Sequence, residues 1–211
     1  MKFQSAFNPL SFDRLTGLFE KISDSSMQMK HVVGEGTVQV YNLARGLQVR
    51  IWNCNFHQQM RIAGDENKGI DPAYFTLAFF LNTDGFRLQN KGTILPATII
   101  WDTIFISDRS NCKMDILPGV PAQCLSISFT EKWFKINVLE KTNAKWNLKE
   151  KVYNSEAFSL LGSMTAAEKK LITQLLDVSG KTSLGTFYLK CCVLKIVSDF
   201  LLKLKERSSF V

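Results

Sequence analysis

Hydrophobic and polar residues alternate through much of the chain up to Thr130, and the alternation stops there. From 124 to 129, Leu, Ile and Phe occupy the odd-numbered positions, while Cys and Ser occupy the even-numbered ones. A period of two is typical of a β-strand. The following Glu-Lys-Trp-Phe, preceded by a threonine, is typical of a capped helix. The pattern therefore predicts a β-rich part, residues 1–130, followed by a helical part, residues 131–211.

The β-rich part contains seven or eight predicted strands separated by turn residues such as Gly46. The clearest strand patterns are 34–41, 47–52, 74–82, 86–92, 97–107, 112–119 and 122–129. The stretch 74–82, YFTLAFFLN, is apolar on both faces, as expected for a strand buried between two layers. The polar stretch 63–73 predicts a loop. Short strands with turn signals and no helical pattern between them predict an antiparallel sandwich or barrel.

A short N-terminal helix is predicted over 11–22, SFDRLTGLFEKI. Ser11 is its candidate cap, and Phe12, Leu15, Phe19 and Ile22 recur at helical spacing. Such a spacing places the four apolar side chains on one face of a helix. The sequence therefore predicts a short capped helix in this segment.

Two longer helices are predicted near the C-terminus. Thr165 and Glu168 have the spacing of a capping box at the start of the first, and Thr186 is a candidate cap for the second. One apolar stripe of the second helix consists of Phe187, Cys191, Leu194, Val197, Leu201 and Leu204. An adjacent stripe consists of Leu189, Val193, Ile196 and Phe200. Two interpretations fit so wide an apolar face: the barrel and the preceding helix cover it, or part of it contacts a second copy of the chain.

The composition is that of a globular protein, with 45% hydrophobic and 21% charged residues. No apolar run reaches the length of a membrane-spanning helix. Asp13 and Arg14 interrupt the segment where a secretory signal would need apolar residues, so we expect a cytoplasmic protein. Five cysteines without a recognisable spacing predict free, buried thiols rather than disulfides or metal ligands.

The net charge of +7 is concentrated in the helical part. Residues 1–130 carry 12 Lys and Arg against 11 Asp and Glu, whereas residues 131–211 carry 14 against 8. A basic excess is one mark of a nucleic-acid-binding surface. Here the lysines are scattered through amphipathic segments, which favours solvated helix faces over a DNA-binding surface.

The chain offers few residues for catalysis. A jelly-roll barrel of this kind suggests a cupin, and metal-dependent cupins need several converging imidazoles and a carboxylate. Only two histidines are present, His31 and His57, 26 positions apart and without an H-x-H pair. Neither a G-x-S-x-G nucleophile motif nor a Gly-rich phosphate loop is found. The sequence therefore predicts no catalytic residues, no metal site and no cofactor.

Aromatic residues in the predicted strands leave open whether the barrel binds a ligand. Strand residues of a barrel alternate between interior and exterior, so about half of these side chains face inward. They either fill the core or line a cavity for a small organic ligand. The candidate ligand-binding residues are Arg50, Trp52, Phe79, Trp101 and Phe105.

The order of four segments resembles a known family. GEGTVQVYNLARGLQVRIWNCNFHQ is followed by FTLAFFLN, then by PGVPAQCLSISFTEKWF, and finally by a helix that includes FYLKCCVLKIVSDFLLKL. This order resembles the N-terminal regulatory domain of AraC-type bacterial transcription regulators, from about Gly34 onward. The resemblance implies a cupin-like barrel that senses an effector and helices that dimerise and connect to a DNA-binding part. No segment offers a recognition helix, so we expect no specific DNA binding by the chain as given.

Together these features predict a mainly β fold with C-terminal α-helices. It consists of a short N-terminal helix, a cupin-like antiparallel jelly-roll barrel within 1–130, and two or three α-helices within 131–211. The predicted function is non-catalytic effector sensing and homodimerisation in an AraC-like regulator, without membrane contact. The alternative is a stand-alone cupin-type enzyme acting on a small metabolite, with acid and base groups from carboxylates or His57. A barrel filled with side chains, which binds nothing, is a further alternative.

Overall fold

The computed structural model describes residues 3–6, 18–63, 74–90, 93–94, 101–110, 112–141, 147–178 and 183–208. The strands are β1 (Phe3–Ala6), β2 (Phe19–Ser23), β3 (Ser26–Met29), β4 (Gly34–Ala44), β5 (Leu47–Phe56), β6 (Met60–Ala63), β7 (Tyr74–Phe80), β8 (Phe86–Asn90), β9 (Thr93–Ile94), β10 (Thr103–Ser107), β11 (Lys113–Ile116), β12 (Pro121–Thr130) and β13 (Ser159–Gly162). The helices are α1 (Glu131–Phe134), continued by a π-helical turn (Lys135–Leu139), α2 (Asn147–Tyr153), α3 (Ala166–Val178) and α4 (Ser183–Ser208). Within these ranges, no helix has both the length and the apolar character that crossing a membrane requires.

The strands form two sheets that pack face to face. The eight-stranded sheet has the order β13-β10-β7-β12-β5-β4-β3-β2, and the five-stranded sheet has the order β1-β6-β11-β8-β9. All strand pairs are antiparallel except β1 with β6. The mainly β architecture with C-terminal helices is confirmed. Barrel closure is not detected, because no strand pair among the described residues joins the two sheets.

The predicted N-terminal helix over 11–22 is wrong where the structure describes it. Residues Phe19–Ser23 form β2, which pairs with β3 in the register Phe19↔Met29. Phe19 is 2% exposed and Ile22 is 62% exposed, so the two side chains do not share a buried helix face. Residues 11–17 lie outside the described part of the chain.

Central strands of the eight-stranded sheet are buried on both faces. All seven residues of β7 are buried, which confirms the prediction that this strand lies between two layers. Its odd-numbered side chains join the apolar residues of the helices, and we call this group the helix-side cluster. Its even-numbered apolar side chains join residues of both sheets, and we call this group the intersheet cluster. One sheet therefore separates two hydrophobic cores.

Local signals at three helix ends and one turn can be compared with the structure. Thr130 caps α1, with its Oγ1 accepting the N–H of Trp133 at 3.2 Å. Thr165 and Glu168 form the predicted capping box before α3. The predicted cap at Thr186 is wrong, because α4 begins at Ser183. Gly46, at φ +85°, makes the predicted turn between β4 and β5 and contacts Thr130 at the start of α1.

A short strand within the helical part, β13, connects the helices to the eight-stranded sheet. β13 pairs with β10 in the register Phe105↔Leu160. Just beyond β13, the N–H of Met164 donates to Asp102 Oδ1 at 2.6 Å. The Glu168 carboxylate, which is 4% exposed, then binds Lys203 Nζ of α4 at 2.6 Å. These contacts connect the edge of the sheet, the start of α3 and the C-terminal half of α4.

Replacement of Glu168 by Gln tests this connection. Burial favours a higher pKa for Glu168, but hydrogen bonds from Lys203 and Thr165 outweigh it and hold the pKa below its ordinary value. A lowered pKa stabilises the fold above the pKa of the unfolded chain, and this stabilisation is lost as the pH falls through the folded-state pKa. We expect Glu168→Gln to reduce the free energy of unfolding by roughly 1–3 kcal/mol at pH 7.

Urea unfolding at several pH values provides the measurement. The difference between wild type and Glu168→Gln should shrink below about pH 4, where the carboxylate of the unfolded chain becomes protonated. Glu150→Gln, at an exposed position of α2, is the matched control and should change little. A loss of stability that is equal at all pH values would contradict the ionic role of Glu168.

Candidate ligand cavity between the sheets

The strand register sends even-numbered side chains of the central strands into the space between the sheets. Arg50 of β5 lies opposite Ser126 of β12, and Ser126 lies opposite Ala78 of β7. Directly opposed residues of antiparallel strands project to the same face, so these side chains form one row across the sheet. The next row contains Gln48, Ser128 and Thr76, with a contact of 3.4 Å between the hydroxyls of Thr76 and Ser128. Polar groups therefore occur within an otherwise apolar interior.

A cavity lies beside these rows. Its volume is about 80 Å³, which is several times the volume that a single ordered water requires. The lining residues are Trp52, Phe56, Tyr74, Thr76, Ala78, Phe80, Phe86, Leu88, Ile104, Ile106, Ser107, Asp108, Ser110, Cys112, Met114, Ile116, Ala122, Cys124 and Ser126. Such a mainly apolar wall with a few polar groups is typical of a small-molecule site.

Most polar lining residues lie where β7 begins and β10 ends. The N–H of Asp108 donates to the carbonyl of Tyr74 at 3.1 Å, which brings the two strand ends together. Ser107 Oγ accepts the N–H of Phe158 at 3.0 Å, so this hydroxyl is engaged by the protein. Further along the wall, Trp52 Nε1 donates to Ser126 Oγ at 3.1 Å. The cavity thus has a polar end and an apolar body.

Two charged residues lie in this region with different environments. Asp108 is partly exposed, and burial raises the pKa of its carboxyl above the ordinary value, against the opposing effects of the Tyr74 N–H and of Arg109. Arg50 is 1% exposed and is not among the described residues that line the cavity. Burial lowers the pKa of Arg50 to about 10 while nearby Tyr74 opposes the shift, so Arg50 remains protonated at neutral pH.

The five sequence-predicted ligand residues divide between the two faces of the sheet. Trp52 lines the cavity, and Arg50 shares its strand face. Trp101 lies in the intersheet cluster, with its ring 5.4 Å from that of the lining residue Phe80. Phe79 and Phe105 belong to the helix-side cluster and contact α4 through Phe200.

Several lining residues did not emerge from the sequence. Thr76, Ser107 and Ser126 are small polar residues, and their signal was a polar position within a buried strand. Ser110 follows β10 and lies outside any strand. Asp108 follows β10 directly, so its signal was a carboxylate at a strand end. The sequence-predicted ligand residues are mostly aromatic, so they do not include the residues of the polar end.

The structure brings the two histidines together, away from the cavity. The rings of His31 and His57 are 5.9 Å apart between centroids, and both side chains are exposed. The backbone N–H of His57 donates to the carbonyl of Val33 at 2.9 Å, which joins the two segments. Within the described residues, no group of three or more His, Cys, Asp or Glu side chains converges.

Two lining residues, Cys112 and Cys124, carry thiols. Burial raises the pKa of Cys112 to about 12, and it also raises the pKa of Cys124. Burial likewise raises the pKa of neighbouring Cys54 to about 12. A thiol needs to be deprotonated to act as a nucleophile or metal ligand, so these three side chains behave as small apolar groups at neutral pH.

The predicted dimer residues on α4 differ in exposure. Phe187 is 68% exposed, Leu194 is 39% exposed, and Cys191 is also exposed. Val197 is 3% exposed within the helix-side cluster, and the partly buried Leu201 and Leu204 pack against that cluster. The first half of the predicted stripe therefore faces outward, while the second half packs inward.

No protein-family model matches the chain, and no curated protein is similar to it in sequence. Solved structures similar to it include the apo form of ToxT from Vibrio cholerae, at 12% identity and a TM-score of 0.47, over 75% of this chain and 57% of ToxT. The EutQ protein of Clostridium difficile is 13% identical, with a TM-score of 0.31, over 53% of this chain and 74% of EutQ. Vicilin from Corylus avellana (hazelnut) is 14% identical, with a TM-score of 0.28, over 75% of this chain and 50% of vicilin. ToxT is a regulator of the AraC family and EutQ is cupin-like, and this chain spans little more than half the length of ToxT.

Proposed function

We propose that this chain is a non-catalytic, effector-sensing and dimerising domain of an AraC-like transcription regulator. A small organic ligand would occupy the cavity between the sheets. The observation that carries the proposal is the mainly apolar cavity with hydroxyls and one carboxylate at one end. These groups suit recognition of a ligand rather than its chemical conversion.

The lining residues support recognition over the rival proposal of a cupin-type enzyme. A hydrolytic or acid–base mechanism needs paired catalytic groups, such as two carboxylates or an imidazole beside a nucleophile. Among the described lining residues, Asp108 is the single carboxylate and no histidine is present. The lining thiols are protonated because burial raises the pKa of each. Among the described lining residues, Asp108 therefore has no second carboxylate or imidazole as a partner for general acid–base chemistry.

The position of β10 supports transmission from the cavity to the helices. Ile104 and Ile106 line the cavity, while the intervening Phe105 projects into the helix-side cluster. The Phe105 ring lies 5.2 Å from that of Phe158 and 5.8 Å from that of Phe200 on α4. A ligand that displaces β10 would therefore also displace groups that hold α4. Such a ligand acts only if it binds two arrangements of sheet and helices with different affinity.

Exposed apolar residues on α4 support self-association. Phe187, Tyr188, Leu194 and Leu202 are half of the large hydrophobic residues that the described structure exposes. Phe187, Cys191 and Leu194 recur at helical spacing and form a continuous outward stripe. Exposed apolar patches of this kind often mark contacts with another protein surface. A second copy of the chain is the proposed partner.

A cavity-filling substitution tests the ligand proposal. Ala122 lines the cavity, so Ala122→Phe would fill part of the space with a side chain. We expect wild-type protein to enhance the fluorescence of the neutral apolar probe N-phenyl-1-naphthylamine, and the variant to weaken this binding at least about tenfold. Ala167→Phe, on the exposed first turn of α3, is the matched control and should bind as wild type does.

Circular dichroism should show that both variants remain folded. Absence of probe binding to the wild type would contradict a ligand-accepting cavity. Equal binding by wild type and Ala122→Phe would show that the probe binds elsewhere.

Charge placed on the outward stripe tests the dimer proposal. We expect Phe187→Glu combined with Leu194→Glu to shift sedimentation from dimer to monomer, because two carboxylates would be buried in the contact. The two sheets should keep their thermal stability, since both side chains are exposed. Ile22→Glu, at a 62% exposed position on β2, is the control and should leave the dimer intact. A wild-type protein that sediments as a monomer at high concentration would contradict the proposal.

A further inference from the structure

One end of the cavity is lined by polar residues. The polar lining residues there are Tyr74, Thr76, Ser107, Asp108 and Ser110. A hydroxyl both donates and accepts, so serine, threonine and tyrosine accept either kind of polar group. An ionised carboxylate only accepts. Asp108 is therefore the group that distinguishes a hydrogen-bond donor from an anion.

Asp108 has the capacity to bind a donor. Its Oδ2 accepts the N–H of Tyr74 at 3.4 Å, and the backbone N–H of Arg109 also hydrogen-bonds to the carboxylate. These two bonds leave part of the roughly four acceptor sites of a carboxylate for a ligand. The hydroxyls of Ser107 and Ser126 also each accept an N–H from the protein, but they are neutral acceptors. A donor on the ligand thus finds its strongest acceptor at Asp108.

Burial has the largest effect on the pKa of Asp108 and raises it, while the charged neighbours of Asp108 act in opposite directions. Arg109 lowers the pKa of Asp108 electrostatically, and Glu131 of α1 raises it. These two residues face each other, with 4.0 Å between Arg109 Nη2 and Glu131 Oε2. Of the 19 described lining residues, Asp108 is the single one with an Asp, Glu, Lys, Arg or His side chain. A carboxylate on a ligand would meet repulsion at the polar end.

The rest of the cavity wall is apolar and would contact the apolar part of a ligand. Phe56, Phe80, Phe86, Leu88 and Ile116 contribute apolar surface. An apolar body, such as an aromatic ring with a short alkyl chain, would bury its surface against these side chains.

We infer that the cavity takes a predominantly apolar ligand that carries a hydroxyl or amine donor, and that it discriminates against carboxylates. The donor binds Asp108, and the apolar body lies between the sheets. This inference rests on the proposed ligand-sensing function and specifies the ligand class of the same site.

Three compounds with one apolar body provide the test: 3-phenylpropan-1-ol, 3-phenylpropan-1-amine and 3-phenylpropanoate. Each competes with N-phenyl-1-naphthylamine for the wild-type protein at pH 7. We expect the alcohol and the amine to displace the probe at concentrations about tenfold or more below that of the acid, the factor that a hydrogen bond to a charged group typically contributes.

Asp108→Asn separates the charge of the residue from its shape, since the asparagine oxygen still accepts a hydrogen bond. The variant should weaken the amine by about tenfold or more and should change the alcohol by less than about threefold. Asp84→Asn, at an exposed position outside the cavity, should change neither. Lowering the pH through the pKa of Asp108 in the wild type is a second measurement, and it should weaken the amine relative to the alcohol.

The outcomes distinguish this inference from the proposed function. Tightest binding of the acid, or equal binding of the three compounds, would overturn the inference and leave the ligand-sensing function standing. The first of these results would point to Arg50 as the anchor. Failure of the probe itself to bind would overturn both. An Asp108→Asn variant that binds the amine as wild type does would also overturn the inference.

Discussion

Burial of one sheet on both faces is the constraint on which the rest of the structure depends. Apolar odd-numbered side chains of β5, β7, β10 and β12, such as Val49, Phe105 and Ile127, pack in the helix-side cluster. Apolar even-numbered side chains of these strands, such as Trp52 and Phe80, lie in the intersheet cluster. A register slip of one residue would exchange the two sets. It would bring Arg50 into the helix-side cluster and Phe105 into the cavity. The strand pairing therefore determines both where the cavity lies and which residues hold the helices.

This arrangement connects the cavity wall to the helical layer through shared backbone. The cavity residues Ile104 and Ile106 belong to the strand that carries Phe105. β13 extends the same sheet beyond β10, and Asp102 binds the backbone that leads into α3. Lys203 and Glu168 then connect α3 to α4. A change at the cavity wall thus has a continuous set of packed and hydrogen-bonded groups through which to reach α4.

Local sequence patterns predicted individual elements well. The elements that these patterns did not predict depend on pairing between strands that are distant in sequence. The alternation in 124–129 and the cap at Thr130 depend on neighbours in sequence, and both are found. The predicted N-terminal helix is wrong over 19–22, because the strand pairing Phe19↔Met29 outweighs the helical spacing of the apolar residues there. β13 is only four residues long, too short for periodicity to reveal it, and its pairing with β10 spans more than fifty positions.

The candidate site was predicted only in part, for the same reason. Trp52 lines the cavity, but Phe79 and Phe105 face the helices. The sequence did not distinguish these cases, because an aromatic residue can lie on either face of a strand that is buried on both sides. Asp108 and Thr76 are distant in sequence, and the pairing of β7 with β10 brings them to the same end of the cavity.

Hydrogen exchange with and without N-phenyl-1-naphthylamine in the cavity tests most directly whether the shared sheet couples the cavity to the helices. If it does, the probe will slow amide exchange in peptides from β7 and β10, and also in peptides covering β13 and α4, and Ala122→Phe will abolish both effects. Slower exchange confined to the cavity strands, with β13 and α4 unchanged, would contradict the account.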